Sequence, residues 1–155
     1  MRILKWLIGV TVVVFAMALY FTLSTPGHLY TFTGELTDCP ARPSCVSSIA
    51  TDATHAIAPL RIRGDATQTM SALARHVSTL RGASIEHIGP GYLHAVFVSP
   101  KMRYRDDLEL LVTGENLIQV RSLSRFGYRD FGVNRERVEA LRSWLDAEQN
   151  KPSWE

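Results

Sequence analysis

Between positions 121 and 137 the chain reads Arg-Ser-Leu-Ser-Arg-Phe-Gly-Tyr-Arg-Asp-Phe-Gly-Val-Asn-Arg-Glu-Arg, five arginines in a loop that joins a strand-like run to a helix start. Crowded guanidinium groups need carboxylates or an anionic ligand as partners. In one reading Asp106, Asp107, Glu109, Arg121 and Arg137, extended by Arg125, Asp130 and Arg135, form an ion-pair network that closes the strand-to-helix geometry. In the other, Arg121, Arg125 and Arg135 converge beside the N-terminus of the next helix, whose dipole and amides favour an anion. Ser122, Ser124, Asp130 and Asn134 complete that candidate ligand set, and a carboxylate, phosphate or lipid headgroup is the chemistry it would take. Gly127 and Gly132 suit left-handed backbone, Asn134 suits a helix cap, and Tyr128 and Phe131 suit packing across the corner.

Other groupings are weaker. Ser47 or Ser48 with Asp52 and His55 has the residue types of a nucleophilic trio but lacks the nucleophile-elbow spacing. Asp107 and Glu109 share one strand face like an acid/base couple, yet Arg121 opposite them would hold both ionised. Glu86, His87 and His94 read as exposed strand residues, with Glu86 placed across a hairpin from His94, and their spacing fits no metal site. No catalytic residue, metal or cofactor is assigned.

Cys39 and Cys45 flank Pro-Ala-Arg-Pro-Ser. In an exported domain an even, closely spaced pair reads as a disulfide, whereas zinc would need two more ligands and redox pairs are usually separated by two residues. Export is implied at the N-terminus. Arg2 and Lys5 precede 18 uncharged residues, Trp6 to Leu23, which as a helix would span about 27 Å, close to the bilayer hydrocarbon thickness. The positive-inside bias keeps the N-terminus cytoplasmic and sends the rest across, which predicts a single-pass inner-membrane signal anchor with a periplasmic domain. The competing reading is a signal peptide cleaved near Ala16-Met17-Ala18, against which the apolar run continues to Leu23.

Setting Arg2 and Lys5 aside leaves 15 basic side chains against 15 acidic ones, so the remaining chain is neutral and carries no electrostatic footprint for nucleic acid. Thirteen of those 15 bases are arginine. The expected organisation is a membrane segment at 1–23, a juxtamembrane linker at 24–38, a single domain at 39–148 and a tail at 149–155. Within the domain, 56–62 reads as a strand. Asp65 caps a helix over 66–81 with Met70, Leu73, Val77 and Leu80 on one face, ended by Gly82. Hairpins follow at 84–99, around Gly89-Pro90-Gly91, and at 106–124, around Gly114-Glu115-Asn116, before a helix that buries Val138, Leu141 and Leu145. This order predicts an α+β two-layer sandwich, an antiparallel sheet of about five strands with two helices on one face and the other face free. A three-residue turn at 114–116 sets Leu108, Leu110 and Val112 opposite Ser122, Val120 and Ile118, and Glu109 opposite Arg121 on the reverse face.

Three blocks, residues 39–48, Asp106-Asp107-Leu-Glu109 and residues 121–135, resemble domain of unknown function 1499, a family of bacterial envelope and plastid-lumen proteins. The family pattern has asparagine before the second cysteine where this chain has Ser44, which leaves the ring intact. The resemblance implies a fold and a compartment and supplies no activity. Together these features predict a membrane-anchored, periplasm-facing binding or assembly domain, its partner an anionic lipid, a small molecule or an envelope protein. The alternative is an envelope hydrolase or other enzyme with a polar site in the Asp107 to Arg125 region.

Overall fold

A computed structural model describes residues 2–23, 29, 35–114 and 116–151. Helix α1 (Arg2–Leu23) contains the uncharged run, and its apolar side chains, Trp6, Ile8, Val14 and Phe15 among them, are exposed on every side. The expected membrane span is not confirmed. Among the described residues no helix is long and apolar enough to cross a membrane, the side chains of α1 being described for residues 3–17, 19 and 20.

The domain is built on six strands, β1 (Cys45–Ser47), β2 (Leu60–Arg61), β3 (Ala83–Gly89), β4 (Tyr92–Val98), β5 (Arg105–Thr113) and β6 (Leu117–Ser124). They form one antiparallel sheet in the order β1-β6-β5-β4-β3, with β2 also pairing along β6. Two departures explain why six replace about five. Residues 45–47, too short to show alternation, pair with β6 through Cys45↔Leu123 and Ser47↔Arg121. The strand expected over 56–62 keeps only Leu60 and Arg61 in the sheet, because Pro59 has no N–H to donate and biases Ala58 toward extended backbone.

Helices α2 (Ala66–Thr79) and α3 (Val133–Gln149) lie on one face, burying Met70, Leu73, Val77, Val138, Leu141 and Leu145 against Leu93, Ala95, Leu108, Leu110, Ile118 and Val120. The Asp65 carboxylate accepts from Gln68 N at 2.8 Å, the cap that the spacing predicts. The α2 helix stops at Thr79, two residues before the expected end, as Leu80 turns extended and Gly82 takes φ +79°. The register of β5 and β6 is the one read from the sequence, with Leu108↔Ser122, Glu109↔Arg121, Leu110↔Val120 and Val112↔Ile118.

The second sheet face is not free. Leu36 packs with Tyr92 and Leu111, and the Asp38 carbonyl accepts from Arg121, so the chain entering the domain runs across that face before Cys39 joins Cys45 in the expected disulfide.

Gly82 turns the chain into β3 against the end of β4, where an added Cβ would stand 2.5 Å from the Val98 carbonyl oxygen. Left-handed strain and that backbone clash act together, so Gly82→Ala should lower stability by about 2 kcal/mol or more in urea unfolding.

Candidate functional site

Strand alternation sorts the polar residues into two sets, one on each side of β5 and β6. Asp107, Glu109 and Arg121 face away from the helices, each about 1% exposed. Arg121 Nη1 donates to Glu109 Oε2 at 2.6 Å, and the Tyr92 hydroxyl donates to Glu109 Oε1 at 2.9 Å. Asp107 does not join Arg121 across the diagonal. It takes a two-pronged contact from Arg125, Nε to Oδ2 at 2.9 Å and Nη2 to Oδ1 at 2.8 Å, with His94 Nε2 also 2.8 Å from Oδ1. Burial opposes the Asp107 charge, but the His94 and Arg125 hydrogen bonds and their charge outweigh it and hold its pKa below the ordinary carboxylate value. The Tyr92 phenol is pushed well above its ordinary range by burial and by the neighbouring Glu109 carboxylate. A carboxylate held in this way accepts hydrogen bonds and does not serve as a general acid.

The helix-side set is equally interlocked. Arg137 donates to Asp106 Oδ2 at 2.7 Å and to Ser122 Oγ at 2.9 Å, its guanidinium 4.4 Å from the centre of the Phe97 ring. Asn134, expected as the helix cap, is fully buried inside the first turn and donates to Ser124 Oγ, Ser44 O and Asp130 Oδ2 while accepting from Ser122 Oγ. The capping position belongs to Gly132, and the Asp130 carboxylate receives Gly132 N at 3.1 Å and Asn134 N at 2.9 Å. A carboxylate of the chain itself therefore stands where an anion was expected.

Arg121, Arg125 and Arg135 do not converge. Arg121 and Arg125 hold Glu109 and Asp107 on the far face, while Arg135 reaches the carbonyls of Ala56 and Thr54 at 2.9 and 3.1 Å. The trio of Ser47 or Ser48, Asp52 and His55 is not assembled either, since His55 Nδ1 faces Asp52, its Nε2 faces the Arg42 carbonyl, and the Ser48 hydroxyl donates to Gln119. In the first hairpin His94 stands opposite His87, not Glu86, because a bulge falls between Ile85 and His87, and His94 is buried rather than exposed.

What the corner presents outward is aromatic. Tyr128 is 69% exposed and Phe131 92%, neither packing across the corner, and Phe131 holds φ +57°. Behind them Ala41, Pro43, Thr54, His55 and Tyr128 to Gly132 line a groove of about 510 Å³. Arg42, within the disulfide ring, ties that groove together by donating to the carbonyls of Ser124 at 2.8 Å, Arg125 at 3.3 Å and Gly127 at 3.3 Å. The sequence reading left Tyr92 and Arg42 out of the site and took the buried His94 for an exposed strand residue. Period-2 alternation places Tyr92 and His94 on one face of β4, but the β4 to β5 pairing needed to set them beside Asp107 and Glu109 has no short turn to fix it.

The chain belongs to the family described as Protein of unknown function (DUF1499), which matches residues 35–145 and so takes in the disulfide ring, both buried pairs and the aromatic corner. No curated protein and no solved structure matches the chain.

Arg121→Ala would leave the buried Glu109 side chain without its guanidinium partner, with an expected loss of about 3–5 kcal/mol in urea unfolding. Replacing both, Glu109→Met with Arg121→Leu, should restore most of that loss. For Asp107 the folded pKa lies below the unfolded value, so its contribution is present above about 3.8 and disappears as pH falls through the folded pKa. Asp107→Asn should accordingly be less stable than the parent at pH 7, and the gap should narrow as unfolding is measured from pH 4 toward pH 2.

Proposed function

We propose that this chain is a membrane-tethered binding or assembly module whose domain lies beyond the cytoplasmic membrane and meets its partner at the corner between β6 and α3. The observation that carries the reading is a contrast at one end of the sheet. Asp107, Glu109, Arg121, Arg125, Asp106 and Arg137 are engaged with one another inside, while Phe126, Tyr128 and Phe131 are turned outward. Solvated aromatic rings on a braced loop are a recognition surface, since burying them on a partner recovers apolar area that folding leaves wet.

Tethering is supported by α1. Its described apolar side chains are exposed all round, which favours a nonaqueous surrounding, and Arg2 and Lys5 in its first turns favour an N-terminus in the cytoplasm. The Cys39–Cys45 bond fits an oxidising compartment. Catalysis by Asp107 or Glu109 is the weaker reading, both carboxylates being enclosed and held by guanidinium groups.

Purification from native envelope tests both halves. The chain should stay with membranes through an alkaline wash, with residues beyond 35 reached by protease only from the extracytoplasmic side. A soluble product beginning near Leu19 would replace the tether with a cleaved leader, and cytosolic residues 36–151 would remove the compartment. Mass spectrometry of the gently purified chain should recover a reproducible companion that Phe126→Ser with Phe131→Ser loses while the unfolding midpoint holds. Retention of the companion by that variant would refute the corner as the contact.

A further inference from the structure

Neutrality of the chain beyond Lys5 conceals a polar arrangement in space. The end of the connection from β4 to β5, with the first residue of β5, reads Lys101-Met102-Arg103-Tyr104-Arg105 and lies at the same end of the sheet as the corner, for Arg125 N donates to Arg105 O at 2.9 Å and the Tyr104 and Phe126 rings stack with centroids 5.8 Å apart. Val98 N donating to Gly82 O brings Arg81 to this end as well. Arg81, Lys101, Arg103, Arg105 and Arg129 make no ion pair among the described residues, whereas Asp106 is engaged with Arg137, Asp107 with Arg125 and Asp130 with the start of α3, which leaves Glu136 in the first turn of α3 as an exposed acid set against these five cations. Unpaired positive charge thus gathers on one side of the domain.

Between those cations stand Met102 at 65%, Phe126 at 63%, Tyr128 and Phe131, all largely exposed. Two non-glycine residues with positive φ occur among the described residues, Arg103 at 56° and Phe131 at 57°, and both belong to this surface. Side chains that gain nothing inside the fold are held outward by unfavourable backbone, a pattern found where the conformation serves a contact.

We propose that this end of the sheet, Arg81, Lys101–Arg105 and Phe126–Phe131, docks on an anionic lipid bilayer. Charge complementarity selects the occupant. Arginine and lysine beside headgroup phosphates, with Met102, Phe126 and Phe131 entering the acyl boundary and Tyr104 and Tyr128 at the interface, is the division of labour of interfacial membrane binding. The inference rests on the tethered reading, which keeps a bilayer near, since the 11 residues from 24 to 34 reach at most about 40 Å. It also differs from the arginine site expected from sequence, because Arg121 and Arg125 lie inside and take no part.

The test uses the full chain in nanodiscs of phosphatidylcholine alone or with about one-third phosphatidylglycerol, oxidised briefly by hydroxyl radicals and read by mass spectrometry. Met102, Tyr104, Phe126, Tyr128 and Phe131 should be protected roughly fivefold or more in the anionic discs at low salt, with Ile88 at the opposite end of the sheet unchanged. Protection should vanish at 1 M salt and in Lys101→Glu/Arg103→Glu/Arg129→Glu, whose unfolding midpoint stays near that of the parent. Equal protection in neutral discs, none in either, or protection that grows with the number of chains per disc would each overturn the proposal, the last pointing to a second copy. Failure of the tether is read separately as chain that washes out of the discs. The surface is then scored by co-sedimentation with vesicles of the same two compositions, where equal or absent binding overturns it.

Discussion

Two carboxylates and two guanidinium groups on one sheet face, closed off from water, set a condition that the rest of the domain must satisfy. Removing such ions from water costs several kcal/mol each, and attraction compensates only when every lone pair finds a donor at good geometry. Glu109 meets that condition by lying directly opposite Arg121 and beneath the Tyr92 hydroxyl, and Asp107 by receiving Arg125 and His94 together. A shift of one residue in the β5 and β6 register would carry these groups into the apolar layer under the helices. The apolar side chains alone tolerate imperfect packing, but the paired charges do not, so this face fixes the register of β4, β5 and β6 more sharply than hydrophobic burial could.

The covering of that face follows from the same demand. Leu36 on Tyr92 and Leu111, the Asp38 carbonyl on Arg121, and the Cys39–Cys45 closure keep the entering chain over the ion pairs. The disulfide thereby does more than shorten a loop. Its ring presents Arg42 to three carbonyls of the corner, and the Ser44 carbonyl accepts from both Ser124 N and Asn134 Nδ2, so the ring, the end of β6 and the start of α3 form one hydrogen-bonded unit. Each backbone group so satisfied would otherwise be buried without a partner.

What could be read from the sequence was local or rested on a short turn. The 114–116 turn with alternating Leu and Val fixed the pairing of Glu109 and Arg121, and Asp65 with its spaced apolar partners announced α2, because each signal lies within a few residues. Reading failed where distant segments compete for one role. Asn134 has the chemistry of a cap, yet the helix starts two residues earlier, where Asp130 takes the amides of Gly132 and Asn134 from a loop that Gly127 and Gly132 bend back, and Asn134 is left to bridge Ser44, Ser122 and Ser124. No periodicity reveals that residues 36–38 would cover the second face, or that Arg42 would join a corner more than 80 residues away.

The partition of the family's motif residues now has a physical logic. A loop that carries exposed aromatic rings and unpaired cations is free to lose its shape unless something rigid holds its ends. Arg125 anchors one end to Asp107 inside the sheet, and Asp130 anchors the other to the first amides of α3. Between those anchors Tyr128 and Arg129 are held outward beside Phe126, whose ring stacks on that of Tyr104, and Phe131 follows directly on the second anchor. Internal neutralisation therefore accompanies outward presentation: the buried pairs satisfy Arg121 and Arg125 within the domain and Arg42 and Arg135 are held by backbone carbonyls, so the positive charge able to reach beyond this end of the sheet is that of the exposed side chains.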